Sequence, residues 1–176
     1  MPKIIERIKP EINAASQYGY DMPVDVLVQY HILKVIVDRL TKSARNREWA
    51  DYGGCHTYSD FFGTIFPEIY EVHDGYFGPE WIKGETSVAF RITHSWLVTK
   101  KGGYIIDPMP VGVYGAGPCL YSKRVDHDLG RFLFWQDRDY KGLIDKIRAE
   151  PGYQENLARI IDAGMEIANE ELYENA

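Results

Sequence analysis

From Thr86 onward apolar and polar side chains alternate. Val88, Phe90 and Ile92 carry the pattern, and Trp96 and Val98 continue it, which is the period of a half-buried strand. Lys100-Lys101-Gly102-Gly103 then supplies a turn, and Tyr104-Ile105-Ile106-Asp107 returns as the partner strand of a β-hairpin. No other segment constrains the fold as tightly, because a hairpin's register decides which side chains share a face and a slip of one residue exchanges the faces. Centred on Lys101-Gly102, the hairpin pairs residues whose numbers sum to about 203, which sets Asp107 opposite Trp96 with His94 as its diagonal neighbour. A tighter register, summing to about 201, sets Asp107 directly opposite His94. Either way the imidazole and the carboxylate share a face within hydrogen-bonding reach.

Helical periodicity brackets this hairpin. Ile4, Ile5, Ile8, Ile12 and Ala15 recur at helical spacing, interrupted by Pro10, and predict a short or kinked first helix. A second helix is predicted from near Pro23, with Asp21 as cap, to about Ser43, burying Val26, Tyr30, Leu33, Val37 and Leu40. A third starts at or just after Cys55, presents Tyr58, Phe61, Phe62, Ile65 and Phe66 on one broad face, and ends near Pro67. The stretch from Val72 to Gly84, with Gly75, Gly78, Pro79 and Gly84, reads as a loop whose Tyr76, Phe77 and Trp81 line a cleft or anchor the loop. Further strands are expected around Leu120 to Val125 and Arg131 to Trp135. The C-terminal part is helical, with Leu157, Ile160, Ile161, Gly164, Met165, Ala168 and Leu172 on one face. With no repeat, linker or low-complexity tract, the expected architecture over 1–176 is a single α+β domain, its helices packed on an antiparallel sheet.

Composition narrows the classes of function. A chain of 176 residues buries roughly 70% of its unfolded surface, so it needs no disulfide scaffold. No apolar run approaches membrane-spanning length, and the start lacks the features of a secretory signal, so a cytoplasmic protein without membrane association is expected. The formal net charge of −6 argues against nucleic acid as a partner, and the basic cluster Lys42, Arg45 and Arg47 reads as the positive end of a helix. Cys55 and Cys119 are read as free thiols.

Cys55, His94 and Asp107 together supply what thiol-based acyl transfer needs. A thiolate at a helix N-terminus is favoured by unpaired backbone N–H groups and by a neighbouring imidazolium. Those amides can also donate to an oxyanion, and Gly53-Gly54 lets a substrate carbonyl approach. An Asp on the histidine fixes its tautomer and stabilises its cation. The competing use, a zinc site drawn from Cys55, His56, His73 and His94, lacks C-x-x-C or H-x-x-x-H spacing, so no metal or organic cofactor is expected. His56 is read as a solvent-facing or substrate-facing first-turn residue, His31 as structural and His127 as surface.

Tyr52-Gly53-Gly54-Cys55, His94-Ser95-Trp96 and Tyr104-Ile105-Ile106-Asp107-Pro108 together resemble the transglutaminase-like branch of the papain-like cysteine enzymes. The resemblance covers about residues 50 to 110. It implies a papain-like fold, with Cys55 as nucleophile, His94 as general base and acid, and Asp107 as the orienting residue. It also implies amide hydrolysis, crosslinking or acyl transfer through a thioester, on a peptide, protein or small amide or ester. Relatives complete the oxyanion hole with a side chain; Trp49, Tyr52 and Gln29 are the candidates here, with Gly54 and Trp96 as further substrate-binding positions. A second resemblance is to arylamine N-acetyltransferases, through the Gly-Gly pair, the compact spacing and Val111-Gly112-Val113-Tyr114-Gly115. The chain is short for them and lacks the Arg that precedes their Gly-Gly pair. A binding module that kept such a fold without activity is the non-enzyme alternative, and oligomeric state is not readable from the sequence.

Overall fold

The computed structural model describes residues 6, 8–9, 23–42, 54–79, 92–109, 119–121, 132–136 and 138–171. Along the chain run α1 (Val24–Lys42), α2 (Gly54–Ile65), β1 (Tyr70–Pro79), β2 (Ile92–Thr99) and β3 (Ile105–Asp107), followed by β4 (Cys119–Tyr121), β5 (Phe132–Gln136), α3 (Arg138–Arg148) and α4 (Pro151–Asn169). The strands form one antiparallel sheet in the order β4-β3-β2-β1-β5, so the fold is α+β.

The hairpin adopts the wider of the two expected registers. Leu97 pairs with Ile106 and Val98 with Ile105, each pair summing to 203. The turn holds this register through Gly102 at φ 98° and Gly103 at φ 68°, a left-handed backbone that residues with a Cβ rarely adopt. Thr99 locks it further, its N–H donating to the Tyr104 carbonyl at 2.9 Å and its Oγ1 accepting from the Tyr104 N–H at 2.9 Å.

Register then builds the core. Val72, Leu97, Ile106 and Leu120 are successive cross-strand partners from β1 to β4, so they form one apolar row on a single face of the sheet. α1, α2 and α4 cover that row with Leu33, Ile36, Leu40, Tyr58, Phe61, Phe62 and Ile160. Phe61 and Phe62 meet edge to face with ring centroids 4.7 Å apart, a geometry worth about 0.5–1.5 kcal/mol beyond their burial. Gly164 lets α4 approach α2 closely: a Cβ there would overlap the Phe61 ring. Arg39 of α1 pairs with Glu170 at 2.6 Å, fastening the end of α1 to the end of α4.

Some sequence expectations need correction. Residues 72–79 are not loop but most of β1, the strand between β2 and β5. One of its glycines stands at the site's own position in the ladder: Gly75 is the cross-strand partner of His94, so no side chain lies opposite the imidazole there. Pro79 sits at the strand's end, where a missing N–H costs least. In α1 the buried stripe is wider than the predicted one, adding Leu27, Ile32 and Ile36, while Tyr30 is only half-buried. Met165 is 40% exposed rather than on the buried face of α4. The first predicted helix lies almost wholly outside the described residues, as do Asp21, Arg45, Arg47, Trp81, Leu172 and His127. Among the described residues no helix is long and apolar enough to cross a membrane.

Candidate active site

Gly54 opens α2 and Cys55 is its second residue, in the turn whose backbone N–H groups lack helical acceptors and attract negative charge. The thiol is free and the residue keeps 8% exposure, whereas His94 and Asp107 keep none. Cys55 is therefore the member of the trio that solvent or a substrate can reach.

His94 and Asp107 meet as hairpin parity requires. Their numbers sum to two less than the register of 203, which makes them diagonal neighbours on one face. His94 Nε2 lies 2.7 Å from Asp107 Oδ2. The second oxygen, Oδ1, accepts the Met109 N–H at 3.1 Å, a local turn that the Asp-Pro sequence favours. Both carboxylate oxygens are thus occupied and the imidazole has one orientation. Trp96, two residues along the same face, stacks on the His94 ring with centroids 6.3 Å apart, and His73 packs on Trp96 in turn at 6.1 Å. At 2% exposure Trp96 is a shelf beneath the imidazole.

Burial of Cys55 by itself pushes a thiol pKa up. Hydrogen bonds and positive charge from His56 and His94 outweigh that, and bring it down from 9.0 to about 6. For His94, burial disfavours the cation, but the hydrogen bond and charge of Asp107, followed by those of Cys55, raise it from 6.5 to about 10. The two shifts describe one state, a thiolate beside an imidazolium. With Nε2 committed to Asp107, Nδ1 is the His94 nitrogen left for the sulfur.

A second set of polar groups reaches the same cysteine from the helix-covered face of the sheet. His56 Nδ1 lies 2.7 Å from Ser95 Oγ, and Ser95 Oγ donates to Asp74 Oδ1 at 2.5 Å. Asp74 in turn receives Arg148 Nη1 on Oδ2 at 2.6 Å and Nη2 on Oδ1 at 3.0 Å. Arg148 also grips Asp60 through Nε and Nη2, both at 2.6 Å, and Tyr153 donates to Asp60 Oδ2 at 2.6 Å. One guanidinium so joins α2, β1 and α3, with α4 added through Tyr153. Ser59, one turn beyond Cys55, donates to the Ser95 carbonyl at 3.0 Å and fixes the helix against β2.

The arrangement is a pair meeting a pair. Successive side chains diverge by about 100° on a helix and point to opposite faces on a strand, so Cys55-His56 can engage His94-Ser95 only one to one. Cys55 takes His94 and His56 takes Ser95, both across a separation of 39 residues.

Cys55, His94 and Asp107 are thus brought together, with Gly54 beside them at the helix start. Trp49 and Tyr52 lie outside the described residues, and Gln29 sits half-buried on α1. Of the two expectations for His56, solvent-facing or substrate-facing, the first does not hold: it is 3% exposed, held inward by Ser95. Sequence reasoning missed Ser95, Asp74, Asp60 and Arg148. The available signal was Asp74 itself, an acid in a stretch of alternating Tyr70, Val72 and Tyr76 that only an ion pair can bury. Among the described residues no group of three or more His, Cys, Asp or Glu is placed to hold a metal ion. Comparison of the chain with protein-family models, with curated proteins and with solved structures finds no match.

Proposed function

We propose that the chain is a cysteine-dependent acyl transferase or amidohydrolase, working through a thioester on Cys55 and similar in design to the transglutaminase-like, papain-like enzymes. The observation that carries this is the fully buried His94–Asp107 hydrogen bond of 2.7 Å with the ionisable thiol of Cys55 on the imidazole at the start of α2. Neutral packing needs no such bond, and a buried ionisable pair is costly unless its parts are matched.

The reaction follows from that geometry. The Cys55 thiolate attacks the carbonyl carbon of an amide or ester, and the C=O π pair moves onto oxygen. Backbone N–H groups at the start of α2 stabilise the resulting oxyanion. On collapse the carbon–nitrogen or carbon–oxygen bond breaks, and the His94 imidazolium gives its proton to the leaving group. The acyl group then sits on sulfur as a thioester. Water or an amine attacks it, neutral His94 takes the attacker's proton, and the thiolate leaves to re-form the starting ion pair. Asp107 keeps the imidazole aligned through both half-reactions and stabilises its charged form.

Mass spectrometry of the intact protein after exposure to mixed acyl donors tests this. Wild type is expected to gain an acyl mass on the Cys55 peptide that hydroxylamine removes, and Cys55→Ala to gain none. An adduct that persists in Cys55→Ala, or one confined to lysines, contradicts the proposal.

A further inference from the structure

The chain of groups from Arg148 to His56 has no part in the scheme above, yet it ends on the same sulfur. Asp74 stays ionised: burial raises its pKa, but hydrogen bonds from Arg148 and Ser95, with the Arg148 charge, pull it below the ordinary value. A carboxylate can only accept, so the one proton of the Ser95 hydroxyl is spent on Asp74. Ser95 Oγ must then accept from His56, which assigns the proton to His56 Nδ1. The other ring nitrogen, Nε2, remains for Cys55, and because a thiolate can only accept it must carry a proton as well, so His56 acts on the sulfur as an imidazolium. Each imidazole at the sulfur therefore has one N–H anchored by an acid, His94 by Asp107 directly and His56 by Asp74 through a hydroxyl.

We infer that His56 is a second positioning residue for the nucleophile, held by the relay Ser95–Asp74–Arg148, and that it orients the Cys55 sulfur and stabilises its thiolate separately from His94. This rests on the acyl-transfer function proposed for Cys55. The relay matters most before substrate arrives, when the thiolate stands without an acyl group. It acts again on deacylation, when the thiolate leaves the acyl group and re-forms beside both imidazoles. The charged and titratable groups around the sulfur are His56 and Asp60 on α2, His94 on β2, Asp107 on β3, Asp74 on β1 and Arg148 on α3. Tyr153 on α4 reaches them only through Asp60.

The test is the pH dependence of Cys55 alkylation by iodoacetamide, read on the Cys55 peptide in wild type, His56→Asn and Ser95→Ala, with circular dichroism to verify folding. Asn at position 56 keeps an N–H for Ser95 but has nothing in the place of Nε2. Both variants are expected to move the alkylation midpoint upward by about one pH unit, a tenfold loss of rate on the acid side, with His94 intact. A wild-type midpoint in both folded variants overturns the relay. Should neither variant fold, two-bond proton–nitrogen NMR on unmutated protein decides the matter. The relay requires His56 protonated on Nδ1 and a shift of its Nε2 resonance on alkylation of Cys55. An Nδ1 without a proton, or an unresponsive Nε2, overturns it. Neither readout involves acyl chemistry. Failure of the acyl-adduct assay with a shifted midpoint removes the catalytic function alone, and an adduct with an unshifted midpoint removes the relay alone.

Discussion

The two faces of strand β2 reach the same cysteine by different routes. On one face His94 and Asp107 belong to a single hairpin, 13 residues apart, and their meeting follows from register alone. On the other, His56, Ser95, Asp74 and Arg148 come from α2, β2, β1 and α3, with Arg148 lying 74 residues from Asp74. A local device is fixed once two strands pair. The non-local one exists only when the helices and strands that carry it have packed together, so it ties the surroundings of Cys55 to the state of the fold. That difference makes the hairpin face the expected source of chemistry and the helix face the expected source of alignment and stability.

Substitutions that remove chemistry from the hairpin face should have the largest effect. His94→Ala is expected to cut acylation of Cys55 by roughly 10²–10⁴-fold, measured as the rate of adduct formation per folded molecule, and also to lower the urea midpoint, because Asp107 is left buried without its partner. Asp107→Asn keeps a hydrogen-bonding partner but no charge, and should lose roughly 10²-fold or more by mis-setting the tautomer. Equal activity in these variants and wild type would dissolve the contrast between the two faces.

Arg148→Met sharpens it from the other side. It leaves Asp60 and Asp74 facing each other, both largely buried, without their shared cation. Urea denaturation should show a loss of roughly 2–4 kcal/mol, at the lower end because the guanidinium is partly solvated. An acid titration isolates one part of this. Asp74 has a folded pKa below its ordinary 3.8, so its stabilisation is fully present above 3.8 and disappears as pH falls through the lower folded value. Asp74→Asn should flatten the wild-type stability curve over that acid interval and leave its slope near neutrality unchanged. The smallest effect belongs to a site remote from both relays. Gly164→Ala places a methyl in the Phe61 ring, and overpacking of this kind costs about 1–3 kcal/mol. Acylation per folded molecule should be unaltered, since Phe61 touches the core and not the sulfur.

The same contrast explains what the sequence could reveal. Period-two alternation around His94, a Gly-Gly turn and an Asp at matching parity are local signals, and they predict two registers of the same parity, of which the structure adopts the wider. The start of a helix beside Cys55 was equally local, written in the Gly53-Gly54 pair and the aromatic face that follows. β1 escaped notice because Asp74, Gly75 and Gly78 interrupt its apolar pattern. The charge of Asp74 is compensated by a distant residue, Arg148, which no local pattern announces. The burial of His56 was unreadable for the same reason: nothing adjacent to it says that Ser95, 39 residues on, will turn it inward. Residues that serve through local geometry were readable, and residues that serve through tertiary partners were not.

The central claim is that Cys55 exists as a thiolate paired with His94. Its test is the midpoint of Cys55 alkylation across pH 4 to 10 in the wild-type protein beside His94→Ala. The expected midpoint is about 6 in wild type, rising toward the ordinary 9.0 when the imidazole is removed. A wild-type midpoint near 9.0, unmoved by His94→Ala, would mean that Cys55 is an inert buried thiol and would contradict the claim.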